Sequence, residues 1–88
     1  MSESIHLRID MLFLASPRPN SEEYRVRNRL LEELSARDFG QLVATYGMDR
    51  TLVLEFMVQD ETEARRLLAK VIGEVAPEVN YTVQRLIS

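Results

Sequence analysis

Residues 39–59, FGQLVATYGMDRTLVLEFMVQ, decide the fold of this chain of 88 residues. On both sides of the tetrapeptide GMDR at 47–50, residues expected to point toward the core alternate with residues expected to point away from it. This alternation is typical of half-buried strands. Glycine and aspartate favour tight connections, so the stretch predicts an antiparallel hairpin with strands at 39–46 and 51–59. In the first strand, the residues expected to point toward the core are Leu42, Ala44 and Tyr46. In the second they are Leu52, Leu54, Phe56 and Val58.

Amphipathic segments flank this hairpin. Residues 20–37 predict a first helix, capped by Asn20 or Ser21, with Glu23 three residues after Asn20 in the position of a capping box. Residues 60–76 predict a second helix, in which Asp60 and Glu63 repeat the capping pattern and Pro77 follows the end. Both segments carry apolar residues at helical spacing, so both helices are expected to bury one side.

Strict alternation of apolar residues predicts two further strands, at 5–14 and 79–84. The element order is then βαββαβ, within a single domain that spans residues 1–88. Right-handed crossovers give the antiparallel sheet the strand order 4-1-3-2 and place both helices on the same face. The predicted class is therefore an α+β sandwich of the ferredoxin-like type.

The other face of the predicted sheet has no helix to cover it. Its central strands would present His6, Arg8, Asp10, Val53, Glu55 and Met57. Its edge strands would present Gln41, Val43, Thr45, Asn80, Thr82 and Gln84. We interpret these residues as a candidate ligand-binding or interface surface, with an ion pair between Arg8 and Glu55 across the central strands. His6 and Asp10 lie four residues apart on one strand, roughly 13 Å, so they cannot act together as a catalytic pair and no catalytic residue is predicted.

The residue types argue against a bound cofactor or metal. The chain contains no cysteine and only one histidine, which leaves few ligands for a transition metal. The loop after the first strand holds Pro17 and Pro19 where a phosphate cradle would need glycine, and carboxylates occupy the start of both helices. We therefore predict neither a cofactor nor a metal site.

The net charge of the chain and the length of its most apolar stretch argue against some classes of partner. A net charge of -3 and a pI near 5.1 give no general attraction for nucleic acid, and the exposed positions of the central strands lack the aromatic residues that stack on RNA bases. The arginines of the first helix alternate with glutamates, as on a solvated helix. The most apolar stretch, 11–15, is too short for a membrane span or a signal peptide core, so no membrane partner and a cytoplasmic location are expected.

The predicted sheet edges point to association. Residues 40–47 and 79–84 contain no charged side chain, although soluble proteins usually guard edge strands with charges or proline. Such edges are consistent with pairing to a second copy or to a partner protein. Packing of two uncovered sheet faces is the other arrangement that we expect, with apolar area from Leu12, Val43, Val53 and Met57.

In its order of elements the chain resembles the ferredoxin-like group, which includes ACT regulatory domains, dimeric α+β barrel proteins and Cas2-like proteins. We favour a non-enzymatic regulatory or protein-interaction module that forms a homodimer. The resemblance implies two alternatives. One is an ACT-like domain that binds a small ligand with His6 and Arg8 as polar anchors, and the other is a dimeric-barrel or Cas2-like enzyme that uses His6, Asp10 or Glu55 in a site completed by the second subunit.

Overall fold

The computed structural model describes residues 4–86. Its elements are β1 (Ile5–Leu12), α1 (Glu22–Ala36), β2 (Gln41–Met48), β3 (Thr51–Val58), α2 (Glu61–Val75) and β4 (Asn80–Leu86). The strands form one four-stranded antiparallel sheet of order β2-β3-β1-β4. Read from the opposite edge this is the predicted order 4-1-3-2, so the ferredoxin-like class is confirmed.

The core lies between the helices and one face of the sheet. Leu7, Ile9 and Met11 of β1 are fully buried and lie opposite buried residues of β3. Leu34 of α1 and Leu68 of α2 belong to the same buried cluster, so both helices cover the same face. Burial of apolar surface at this single layer provides most of the driving force for folding. Among residues 4–86, neither helix has the length and apolarity that a membrane span requires.

The two helices begin differently. In α2 the backbone N–H of Glu63 donates to the side chain of Asp60 across 3.0 Å, which confirms the predicted cap. In α1 the N-cap position belongs to Ser21, whose side chain makes no capping hydrogen bond. The alternative cap at Asn20 is wrong, because Asn20 has a φ of 64° and turns the chain before the helix, whereas an N-cap residue has extended geometry.

The hairpin connection is shorter than predicted. Gly47 and Met48 still belong to β2, and Met48 lies opposite Thr51, so the turn consists of Asp49 and Arg50. Asp49 adopts a φ of 54°, a left-handed conformation that aspartate tolerates better than most residues.

A β-bulge in β2 changes which side chains face the helices. The register shifts between Leu42 and Ala44, so Val43 is an extra residue in the strand. Beyond it, Tyr46 lies opposite Val53 on the uncovered face, and Thr45 lies opposite Leu54 on the helix side. The predicted directions of Ala44, Thr45 and Tyr46 are therefore wrong. The reason is that one inserted residue reverses the two-residue alternation of every later position in the strand.

Candidate functional site

The candidate site is the face of the sheet that no helix covers, called here the open face. Successive pairs across the strands define it. Its residues are Gln41, Ala44, Tyr46 and Met48 from β2; Thr51, Val53, Glu55 and Met57 from β3; His6, Arg8, Asp10 and Leu12 from β1; and Asn80, Thr82, Gln84 and Leu86 from β4.

Glu55 is the centre of a hydrogen-bonded network on the open face. Its Oε1 lies 2.7 Å from Nε2 of His6, and its Oε2 accepts the hydroxyl hydrogen of Tyr46 across 2.6 Å. The hydrogen bond from Tyr46 lowers the pKa of Glu55 most strongly; burial opposes this effect, and His6 and Arg8 reinforce it. The side chain of Glu55 is only 14% exposed. Glu55 is therefore a largely covered carboxylate with both oxygens occupied.

The charge of Glu55 determines the tautomer of His6. An ionised carboxylate can only accept hydrogen bonds, so the Nε2 atom of His6 carries the hydrogen that it shares with Glu55. In a neutral imidazole the lone pair then lies on Nδ1. Tyr46 stays a phenol, because its hydrogen bond to Glu55 raises the pKa of its hydroxyl group above the ordinary value of 10.0. The network thus orients one imidazole and keeps one phenol protonated.

Arg8 forms the second polar contact of this face. Its Nε donates to Oδ1 of Asp10 across 2.8 Å, and this hydrogen bond is the main reason why the pKa of Arg8 is raised. Its Nη2 lies 3.9 Å from the sulfur of Met48, on the far side of β3. The side chain therefore crosses β3 at the level of Val53, which is fully buried although it belongs to the open face.

The predicted ion pair between Arg8 and Glu55 is wrong. The two residues lie opposite each other in the β1–β3 register, as predicted. Their charged groups have other partners, however: the guanidinium of Arg8 contacts Asp10, and both oxygens of Glu55 are occupied by His6 and Tyr46. The bulge accounts for one of these partners, since it brings the phenol of Tyr46 onto the open face beside Glu55.

The structure places most of the predicted residues on the open face. His6, Arg8, Asp10 and Glu55 form the polar centre described above, and Met57 lies opposite both His6 and Gln41. The exposed β4 residues of the prediction also lie on this face: Asn80, Thr82 and Gln84. Val43 is 50% exposed at the bulge, while Thr45 lies on the helix side. Val53 was expected to offer apolar contact area, but it has no exposed surface.

Tyr46 and Met48 are among the residues of the open face that were not predicted. Both lie beyond the bulge, where the simple alternation fails. The only signal for Tyr46 and Met48 is that residues 41–48 contain one residue more than their pairing partners in β3. This difference becomes visible only when the two strands are aligned.

Both edges of the sheet are modified, although their sequences lack charges. At β4, the carbonyl oxygen of Val83 accepts a hydrogen bond of 3.4 Å from Arg65 of α2, and Arg85 lies 3.6 Å from Glu61 of the same helix. At β2, the bulge at Val43 interrupts the regular edge. Charged side chains and bulges are the devices that oppose pairing of edge strands, so both edges are less open than the sequence predicts.

The polar centre of the open face lies outside the main grooves of the described chain. Four grooves stand out among residues 4–86, and none of them is lined by His6, Arg8, Tyr46 or Glu55. In the same part of the chain, no three His, Asp or Glu side chains converge as metal ligands would. Enzyme sites and small-molecule sites are usually concave, whereas contact surfaces between proteins are commonly broad and flat.

Comparison of the chain with protein-family models, with curated proteins and with solved structures gives no match.

Proposed function

We propose that this chain is a non-enzymatic protein-interaction module that forms a homodimer through its open face. The observation that carries the proposal is the internally paired polar centre on a flat, helix-free sheet face. Glu55 is bound by His6 and Tyr46, and Arg8 is bound by Asp10, so each charge already has a partner within the same chain.

Pairing within the chain lowers the cost of covering this face. A charge that loses its water without a partner is strongly destabilising, whereas a hydrogen-bonded pair has replaced part of its hydration before contact. Glu55 and Asp10 retain only 14% and 16% of their side-chain exposure. A second copy would therefore bury charges that are already largely desolvated and hydrogen-bonded, which favours association.

The area of the open face and the exposed apolar residues at one end of it suit a small homodimer. Four strands spaced about 4.8 Å apart and about eight residues long at roughly 3.3 Å each cover about 500 Å² in projection. Two such faces together hide about 1,000 Å², the lower range of specific interfaces. Leu12 and Met48 are 41% and 51% exposed at one end of this face and offer apolar contact area there. A chain of 88 residues also gains proportionally more from association than a large one.

Face-to-face packing is favoured over pairing of sheet edges. Arg65 covers a carbonyl group at the β4 edge, and Val43 interrupts the β2 edge. A strand added at either edge would have to displace the arginine or adapt to the bulge. Neither obstacle exists on the open face.

The orientation of His6 supports a second candidate function. A histidine held by a carboxylate through one nitrogen, with the lone pair on the other, is the arrangement that general bases use. In a homodimer this nitrogen could line a shared pocket, as the ligand-binding and enzyme alternatives require. A thermal-shift screen with small metabolites tests this candidate, because a stabilising ligand whose effect disappears in His6→Gln would favour it over a plain interaction module.

The molar mass in solution tests the leading proposal. Light scattering over a concentration series is expected to approach twice the chain mass of 10.2 kDa. A mass equal to one chain at every concentration would contradict the homodimer.

A cytoplasmic location stays a prediction from the sequence.

A further inference from the structure

A second surface feature lies at the hairpin end of the molecule. It is a groove of about 690 Å³ between the start of α1, the loop after β1 and the chain that enters β4. Its apolar lining comes mainly from Phe13, Leu14, Val26 and Val79. Leu14 is 99% exposed, the highest value among the large apolar residues of the described chain. This feature is called the end groove below.

The charges around the end groove are mostly negative. Four carboxylates line it, from Glu22, Glu23, Asp49 and Glu78, against one guanidinium, from Arg50. Of the four, Glu22 lies 3.9 Å from Arg25, and both of these side chains are more than 70% exposed. Within residues 4–86 the other three carboxylates form no ion pair. The groove thus combines an uncovered apolar lining with four carboxylates, three of which form no ion pair within the described residues.

We infer that the end groove binds a cationic, amphipathic segment of a partner protein. A bulky apolar side chain of that segment covers Leu14 and contacts Phe13, and flanking lysine or arginine side chains meet the carboxylates of Glu22 and Glu78. The sign of the charge selects the partner, because four carboxylates repel acidic segments and phosphate groups and attract basic ones. Exposed apolar area supplies affinity that charges at a solvated surface cannot provide alone.

The end groove and the open face can be tested separately. They adjoin at Leu12, Thr51 and Asn80, which belong to both. Leu14 and Glu78 lie outside the open face, so substitutions there leave the proposed dimer surface unchanged. Glu78 also lies between α2 and β4, where it caps no helix, and its replacement by glutamine should not affect folding.

Fluorescence anisotropy with labelled synthetic peptides tests the inference. The probe contains leucines flanked by lysines. One counterpart has glutamates in place of the lysines, and another has serines in place of the leucines. The lysine–leucine probe is expected to bind, more weakly at high salt, while both counterparts bind at least tenfold more weakly.

Two variants and a matched control locate the binding. Leu14→Ser should weaken binding of the lysine–leucine probe about tenfold, because one apolar contact is lost. The double variant Glu22→Gln with Glu78→Gln should weaken it about fivefold. The control, Glu32→Gln with Glu74→Gln, makes the same change in net charge at two exposed residues outside the groove and should bind like the wild type.

Three results would overturn the inference. They are equal binding of the acidic counterpart, equal losses in the control and the groove variant, and no binding of the lysine–leucine probe. If a second copy occupied the groove instead, Leu14→Ser would lower the molar mass in light scattering, which also contradicts a separate partner protein.

Discussion

Tyr46 donates its hydroxyl hydrogen to Glu55 across 2.6 Å on the open face, although the alternation of β2 predicts that Tyr46 faces the core. The bulge at Val43 brings the two residues together. The phenol and His6 occupy both oxygens of the same carboxylate. One inserted residue therefore adds Tyr46 to the polar centre of the surface that we propose for association.

Removing the charge of Glu55 should destabilise the fold. In Glu55→Gln the charged acceptor becomes a neutral amide, so both charge-assisted hydrogen bonds are lost, and His6 or Tyr46 must change from donor to acceptor. The free energy of unfolding should fall by about 1–3 kcal/mol, the range for hydrogen bonds to charged groups. Urea denaturation measures this change. Glu32→Gln, at an exposed position of α1, is the control and should stay within about 0.5 kcal/mol of the wild type. Equal stabilities of the two variants would contradict the network.

The contribution of Glu55 should disappear in acid. Its pKa in the folded chain is lowered from the ordinary value of 4.5, so the folded state binds this proton less tightly than the unfolded state does. The stabilisation is complete above the unfolded pKa and is lost as the pH falls through the lowered folded pKa. The stability difference between wild type and Glu55→Gln, measured by urea denaturation from neutral to acidic pH, should therefore shrink only below about pH 4.5. A difference that does not change down to the lowest pH would contradict the assignment.

Tyr46 should show the opposite dependence in alkali. Its pKa is raised in the folded chain, so folding favours the protonated phenol. The resulting stabilisation is complete below the unfolded pKa of 10.0 and is lost as the pH rises through the raised folded pKa. Wild type should thus lose its stability advantage over Tyr46→Phe above pH 10.0, as measured by thermal unfolding. Tyr81→Phe provides a control, since Tyr81 does not contribute to the raised pKa of Tyr46. An advantage that grows with pH would contradict the hydrogen bond to Glu55.

Two glycines should respond oppositely to alanine. A Cβ at Gly40 would lie 2.5 Å from the carbonyl oxygen of Met57, so β2 must move at its start. Gly40→Ala should destabilise the fold by about 1–3 kcal/mol. A Cβ at Gly73 in α2 meets no atom within 4 Å, and Gly73→Ala should stabilise by up to about 1 kcal/mol through helix propensity. Thermal unfolding of both variants measures the contrast, and a stabilising Gly40→Ala would contradict the close approach of β2 to β3.

The predictable part of the fold rests on local patterns. Alternation along β1 and β3 and the cap at Asp60 depend on neighbouring residues, and the structure confirms them. The bulge at Val43 depends on how β2 pairs with β3, and Val43 is a β-branched residue in a regular pattern, so no glycine or proline marks it. For this reason the local pattern does not predict the side-chain direction of Tyr46.

The polar contacts of the candidate site were less predictable than its location. The strand register places Arg8 opposite Glu55, but the conformations of long side chains decide their partners. Arg8 turns along its own strand to Asp10 and extends across β3, which also explains why Val53 is buried on a helix-free face. Such choices depend on side chains from three strands and cannot be deduced from one segment.

The central claim is that the open face is the surface of self-association, and a pair of leucine variants tests it most directly. Leu12 is 41% exposed on this face, and Leu14 is 99% exposed just beyond it. Light scattering should be measured at a concentration at which the wild type is dimeric. We expect Leu12→Glu to have the mass of one chain, because a carboxylate is buried at the interface, and Leu14→Glu to keep the mass of two. A dimeric Leu12→Glu variant, or equal dissociation of both variants, would contradict the claim.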